Sequence, residues 1–382
     1  MTNVDQSQSV TLATARLLWE LAKVQPTKAA IEAELDAGAD VDAVAGYASV
    51  NRVGPLCWRA LGTVDMRDRV RADVADYLEQ EADLWRFREQ LLVPHALSLM
   101  VTPLVEAGLE PVIFKGPVVA ARYPAPGLRP MDDIDVMLPA ADHATALAVL
   151  AGLGWKVIEA QHHGEFEHYL EHPDVPEMPL ELHWDLHTWR DRAHGLRGID
   201  LWKARVPTSA FGCDAYTVPI EDELVALASH AGKPFHHFNR LMWSVDIALV
   251  IDEGTVDWKR LDSLADRWGC KTVLAVALLH ARRLGAAVPA ASVQLPASKA
   301  RRAALAPVLD VRWPVSVPEA SVVRRMRYAL WDSTIRNARL FVVEMSEDGS
   351  ARRSLRRAAL LASTAFRSWW HLRRAGPPDT DG

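Results

Sequence analysis

The spacing of apolar residues changes twice along this chain, and the changes divide it into helix, sheet and helix. Residues 10 to about 107 repeat at helical spacing. Leu17, Leu18, Leu21 and Ala22 form one stripe, and Val70, Val74, Leu78 and Ala82 another. Pro94 sits in the Leu-, Ala-, Glu- and Arg-rich stretch 65–109 and predicts a break or kink there. From Glu110 short β-rich runs take over, at 111–114, 134–138, 155–158, 166–170 and 179–186. A helix over about 142–153 separates the second run from the third, with Asp142 as N-cap and Gly152 or Gly154 at its end. After Pro219 helical spacing returns, at 221–231, 241–251, 258–268 and 271–284. The pattern predicts an α+β protein. A mixed sheet ending near Val206 lies between an N-terminal and a C-terminal helical region. The expected boundaries are 1–95 helical, 96–205 sheet core, 206–375 helical and 376–382 a disordered tail. The Ala- and Pro-rich stretch 286–320 reads as a linker or long loop, with two further helices around 321–344 and 352–374.

With 382 residues, 49% hydrophobic and 24% charged, the chain can bury a large core in two or three domains. A net charge of −6 argues against a nucleic-acid binder as a whole. Cys57, Cys213 and Cys270 are scattered and form no C-x-x-C pair, which fits a reducing cytoplasm without a disulfide framework or zinc knuckle. Residues 1–10 are polar and lack the apolar core of a signal peptide. No uncharged apolar run reaches the roughly 18 residues of a membrane span. The expected location is cytoplasmic. One ankyrin-like turn, at 35–42, has no second copy and marks no repeat.

The chemistry concentrates in the sheet region. The apolar run Val112-Ile113-Phe114 ends in Lys115-Gly116, and Arg129-Pro130-Met131-Asp132-Asp133-Ile134-Asp135-Val136 follows. Residues two apart on a strand face one side, so Asp133 and Asp135 project together, as a two-magnesium site requires, and Asp132 points away. Asp40-Val41-Asp42 shows the same spacing, but it lies among helices without an upstream strand and Gly, and reads as a decoy. Leu180-Glu181-Leu182-His183-Trp184-Asp185-Leu186-His187 alternates strictly, with Glu181, His183, Asp185 and His187 on its polar face. Glu181 is the third carboxylate of a triad, with Asp185 in reserve. Three acids so close repel unless cations lie between them. Pro117 suits the first position of a short helix over 117–123, with free amides for a phosphate and Gly116 permitting close approach. Lys115 and Arg129 are the cations placed to neutralise a triphosphate.

Taken together, Phe114-Lys115-Gly116, Leu128 to Val136 and Leu180 to Trp184 resemble the uncharacterised nucleotidyltransferase family of the DNA polymerase beta-like superfamily. The resemblance is specific over about 110–187. It extends more loosely to 219–290, through Arg240 to Ala248, and to Val53-Gly54-Pro55-Leu56. It implies a nucleotidyltransferase-like mixed-sheet core with Asp133, Asp135 and Glu181 as catalytic metal ligands for Mg²⁺. It also implies an NTP substrate bound with Lys115, Gly116 and Arg129. The superfamily usually carries Gly-Ser at the strand end, and Pro117 stands in place of that Ser. The implied reaction moves a nucleoside monophosphate to an acceptor hydroxyl, with Glu181 also as general base. The acceptor is a small molecule, a peptide or a protein. A nucleic acid is not favoured by the charge.

The alternative is a non-catalytic protein that binds a nucleotide or partner on a degenerate copy of the fold. The missing Ser favours it, and the complete acidic triad opposes it. Zinc at His183 and His187 is disfavoured because a strand holds them apart with no other clear ligand. His183 reads instead as a neighbour of Glu181. Asp246, near Arg240 and Trp243, reads as a helix-packing or salt-bridge residue. His162, His163, His168 and His172 read as solvated. The Arg-rich stretch 352–374 has the composition of a membrane-surface or nucleic-acid-binding helix, but a helix docked on the protein is the favoured reading.

Overall fold

The structure, a computed structural model, describes residues 10–158, 166–186, 197–209, 214–233, 236–315 and four positions beyond, at 322, 326, 329 and 330. The described residues form one compact unit. His162, His163, His187, Cys213, the stretch 352–374 and the tail lie outside the described residues.

Helices α1 (Leu12–Leu21), α2 (Lys28–Asp36), α3 (Val41–Val50), α4 (Gly54–Thr63), α5 (Ala72–Phe87) and α6 (Val93–Glu106) come first. Asp40 of the decoy pair caps α3, its carboxylate accepting from Ala43 N at 2.9 Å. A π-helical turn, Arg88–Leu92, joins α5 to α6 directly before Pro94. Pro94 has no N–H to continue the α-ladder, so the backbone widens by one residue there rather than stopping.

Seven strands follow: β1 (Val112–Phe114), β2 (Ile134–Met137), β3 (Lys156–Ile158), β4 (Glu167–Glu171), β5 (Leu180–His183), β6 (Val206–Thr208) and β7 (Ala215–Thr217). Among them lie α7 (Gly116–Ala120), α8 (His143–Gly152) and α9 (Gly198–Ala204). The sheet order is β3-β4-β5-β2-β1-β7-β6. It is mixed, with β2 parallel to β5, β1 parallel to β7 and antiparallel pairs elsewhere. The apolar pattern does not announce β6 and β7. They are three residues each, half-polar, and take their pairing from the sheet rather than from composition.

The two faces of the central strands differ. Ile113, Ile134, Val136, Leu180 and Leu182 pack in one core with residues of α6 and α8. Val112, Phe114 and Met137 join the opposite, larger core. That second core is shared by α1 to α5 and by α10 (Ile220–Ala231), α11 (Leu241–Glu253), α12 (Trp258–Arg267) and α13 (Lys271–Arg283). The two helical regions are thus one layer. Asn51 stitches them: its side-chain oxygen accepts from Leu241 N at 2.9 Å, and its amide donates to Pro314 O at 2.9 Å. The stretch expected to be a linker contains α14 (Lys299–Leu309). Ser298 caps it, and Leu305 and Val308 are fully buried, so burial of one side overrides its Pro content. Among the described residues no helix is long and apolar enough to cross a membrane.

Candidate active site

The parallel pairing of β2 with β5 places Asp135 directly beside Glu181 and Met137 beside His183. Ile134, Val136, Leu180 and Leu182 occupy the apolar face, so the period of two sends Asp135, Glu181 and His183 to the other. In β4, Glu167 pairs with His183 and Tyr169 with Glu181, which brings a fourth acid to the same face. Asp133 lies just before β2, two residues ahead of Asp135.

Asp135 is buried and holds two cations. Lys115 Nζ donates to its Oδ1 at 2.6 Å, and His183 Nε2 lies 2.9 Å from the same oxygen. His183 Nε2 is also 3.3 Å from Glu181 Oε2, and its Nδ1 is 3.2 Å from Glu167 Oε2. Burial disfavours every one of these charges, so their shifts show which partners prevail. Burial pushes the Asp135 pKa up, but Lys115 and His183 outweigh it and hold the carboxyl well below its usual range. Burial likewise pushes His183 down, and hydrogen bonds with Asp135 and Glu181 raise it to about 9. Asp133 goes the other way. Burial, then Asp135 and Glu181, raises it to about 7. The cluster therefore carries more acid than Lys115 and His183 neutralise.

That surplus bears on a divalent cation. An oxygen of Asp135, an oxygen of Glu181 and a ring nitrogen of His183 lie within 4.8 Å of one another, and the ring nitrogen could ligate only as neutral imidazole, not as the cation its raised pKa favours. Carboxylate oxygens are the donors Mg²⁺ takes, and Asp135 and Glu181 supply them; Asp133 is not part of this close group. The residues present fit such an ion.

Lys115 reaches Asp135 because of its backbone. The chain turns from β1 into α7 at Lys115, with φ 56° and ψ −120°. A non-glycine residue in that region costs on the order of 1–3 kcal/mol. The left-handed residue of the turn is thus Lys115, not Gly116. A Cβ on Gly116 would meet Met131 Sδ at 3.4 Å and Asp133 O at 3.5 Å, ordinary contacts in the wall beside the acids. The helix there is Gly116–Ala120, shorter than the expected span.

Arg129 is engaged elsewhere. Its Nε and one terminal nitrogen each donate to Asp246 of α11 at 2.9 Å, and Tyr123 Oη donates to Asp246 at 2.8 Å. Asp246 is the salt-bridge residue its surroundings in the sequence suggest. Asp132 points away from the acids and pairs with Arg52. Asp185 also leaves the cluster. The strand ends at His183, and Trp184 N and Asp185 N both donate to Phe166 O, which breaks the alternation. The Asp185 carboxylate then accepts from Leu186 N at 2.9 Å and Gly198 N at 3.0 Å. His172 is buried rather than solvated, with Nε2 2.9 Å from Leu153 O. His168 is partly buried against Trp184 and His143. Sequence reasoning missed Glu167. Its one signal is the Glu167–Tyr169 alternation in a strand whose partner was not yet known.

A mixed sheet with acids side by side on parallel strands is the arrangement that the nucleotidyltransferase resemblance implies. The chain belongs to the family described as uncharacterised nucleotidyltransferase, whose model matches residues 37–286, about two thirds of the chain. No curated protein matches it. Two solved structures share a weak likeness. One is the solution structure of the antibiotic-resistance factor ANT(2'')-Ia, at 14% identity and TM-score 0.34, covering 46% of this chain and 90% of that one. The other is the crystal structure of ANT(2'')-Ia in complex with adenylyl-2''-tobramycin, at 16% identity and TM-score 0.33, covering 46% and 95%.

Proposed function

We propose that the chain transfers a nucleoside monophosphate from an NTP to an acceptor hydroxyl of a small molecule, peptide or protein. The observation that carries this reading is the register of Asp135 beside Glu181 on parallel strands, with Asp133 two residues upstream and Lys115 within 2.6 Å. The acceptor oxygen forms a bond to the α-phosphorus while the bond from that phosphorus to the β-phosphate oxygen breaks and pyrophosphate leaves. The hydroxyl proton passes to Glu181, at 23% the most exposed of the three acids around His183. Asp133, Asp135 and Glu181 would hold Mg²⁺, which supplies charge neutralisation and lowers the pKa of the attacking hydroxyl.

The remaining work falls to the chain's own groups. Lys115 and His183 keep Asp135 ionised and fixed in place. Gly116 forms the wall next to Asp133. Arg129 acts on the nucleotide only indirectly: clamped to Asp246, it fixes the loop that delivers Asp133. The expected setting is the cytoplasm, where NTPs are abundant.

The test uses NTPs labelled at the α-phosphate, with Mg²⁺ and an extract of the source cells. Wild type is compared with Asp133→Ala/Asp135→Ala. Label reaching an acceptor only with wild type supports transfer, and the size of the labelled product gives the acceptor class. No transfer by folded wild type with any NTP would leave the non-catalytic binding module as the better account.

A further inference from the structure

The two cations that the sequence nominates for a triphosphate are both committed inside the protein, Lys115 to Asp135 and Arg129 to Asp246. A tetra-anionic triphosphate still needs positive charge where it enters. We infer that Arg52, Arg88 and Arg240 form the polyphosphate clamp of this site, a reading that rests on the nucleotidyl-transfer proposal above.

The three come from separate elements and meet at one edge. Arg52 lies in the turn between α3 and α4, Arg88 opens the π-helical turn, and Arg240 precedes α11. The Arg52 and Arg88 guanidiniums lie 5.1 and 5.0 Å from the ring centroid of the same residue, Trp85. Arg52 also pairs with Asp132, the neighbour of Asp133. Arg88 donates to Glu177 O, in the loop that leads into β5 and Glu181. The parallel strands β2 and β5 both enter the sheet here, so the arginines face the ends that carry Asp133 and Glu181. Arg240 is held in the same neighbourhood because Asn51, next to Arg52, accepts from the amides of Leu241 and Met242, at 2.9 and 3.2 Å.

The backbone around them is built rather than incidental. Arg52 sits at φ 60°, a left-handed conformation that a β-turn glycine would adopt without cost. The π-helical turn is the only one among the described residues, and such turns gather at functional positions. Glu89 in that turn accepts from Gly127 N at 2.7 Å, which ties it to the loop carrying Asp133.

Their charge is poorly matched within the protein. Neither Arg88 nor Arg240 makes an ion pair among the described residues, and Arg88 Nε is buried with no acceptor. Among the described residues Arg52 pairs only with Asp132, whose side chain is 54% exposed and can be displaced. Burial first, then the Arg240 charge, pulls the Arg52 pKa below its ordinary value. Asp133 and Glu81 act on Arg52 and Glu177 on Arg88 from a distance, yet burial, joined at Arg52 by the neighbouring arginines, outweighs them. Such crowded guanidiniums suit phosphate, which accepts a planar fork of N–H donors with two oxygens.

The experiment measures binding of inorganic tripolyphosphate with Mg²⁺ by calorimetry, which needs no catalysis. It compares wild type, Arg52→Gln, Arg88→Gln, Arg240→Gln and the triple variant, each checked by thermal melting. The proposal expects each single variant to bind tripolyphosphate about tenfold more weakly, the range for a lost charged hydrogen bond, and the triple variant to lose binding. KM for the NTP should rise in parallel with little change in KM for the acceptor. Tripolyphosphate affinity within twofold of wild type in all variants would overturn it. So would a rise confined to KM for the acceptor, which would assign the arginines to a phosphate on the acceptor. A lowered melting temperature with unchanged affinity would mark a purely structural arginine–tryptophan stack. Failure of the transfer proposal is read separately, from labelled-NTP transfer in the Asp133 and Asp135 variants.

Discussion

Arg129 and Asp246 meet beneath the helical layer through two parallel hydrogen bonds of 2.9 Å, and Tyr123 fills a further position on the carboxylate. One cation faces one anion, and both are satisfied. A few residues along the same loop, Asp133 and Asp135 join Glu181 and Glu167 around Lys115 and His183. There the anions outnumber the cations, and burial first, then Asp135 and Glu181, raises Asp133 to about 7. Both clusters are desolvated, and desolvation favours matched pairs. On the proposed reading, the unmatched cluster is the place for something that brings positive charge, and the contrast separates an ion pair that builds the protein from the acids assigned to its chemistry.

The same substitution should therefore have opposite effects in the two places. Asp135→Asn removes the carboxylate that Lys115 and His183 address, and we expect nucleotidyl transfer to fall about a thousandfold or more, the scale of a lost electrostatic contact in a transition state. Single-turnover transfer from a labelled NTP measures it, with circular dichroism to confirm the fold. Activity within tenfold of wild type would remove Asp135 from the chemistry.

Asp246→Asn should instead damage the protein. It leaves the Arg129 guanidinium buried without a counter-charge, at a cost of about 3–5 kcal/mol. Urea unfolding reads it. A loss below about 1 kcal/mol, the worth of an exposed pair, would mean that Arg129 finds another partner and that the comparison fails on its structural side.

Histidines carry the comparison further. His183 and His280 are both buried, yet they shift in opposite directions. Burial lowers both, but the carboxylates beside His183 raise it to about 9, whereas His280 falls to about 4. His280 lies against Trp19 and Phe238 and donates from Nε2 to Val308 O at 2.8 Å. Its folded pKa is below the ordinary value of 6.5, so the unfolded chain binds more protons between about 6.5 and 4. Stability contributed by neutral His280 is complete above 6.5 and is lost as pH falls through that window, by on the order of 3 kcal/mol. His183 has the reverse sign: its contribution is complete below 6.5 and is lost as pH rises through about 9. Urea midpoints at pH 7 and pH 4.5 should differ in wild type and differ less in His280→Gln, which still carries the acid loss of His143 and His236, both likewise lowered to about 4 by burial. An equal acid loss in that variant would assign the effect to other groups.

How much of this was legible in the sequence follows from how local each feature is. The strand bearing Asp133 and Asp135 and the alternation around Glu181 are local, and the predicted strands at 134–138 and 179–186 overlap β2 and β5. The face of the sheet on which the acids meet follows from the period of two. The partners of Lys115 and Arg129 are not local. Asp246 lies 117 residues from Arg129, and nothing in the composition of α11 says which cation it meets. Glu167 enters only through the register of β4 on β5, and Arg52 only through the packing of the first helices against the loop before β2. The helix at 299–309 was obscured for a related reason, because its Pro and Ala content reads as loop until burial of Leu305 and Val308 is known.

The smallest expected effect cuts closest to the comparison. The folded pKa of Asp133, about 7, lies above its ordinary 3.8, through burial first and then Asp135 and Glu181. Between those values the folded chain binds more protons than the unfolded one, so stability falls as pH rises and the cost is complete above about 7. Asp133→Asn removes that cost. In buffer with a chelator it should be more stable than wild type by on the order of 1 kcal/mol at pH 8 and indistinguishable from it near pH 4. Excess Mg²⁺ should then reverse the order, since an ion that binds only the folded state at a hundred times its Kd stabilises by about 2.7 kcal/mol. Asp133→Asn keeps fewer ligands and gains less. A variant that is less stable than wild type at pH 8 without metal would place Asp133 among the satisfied charges, beside Asp246, rather than among the surplus ones.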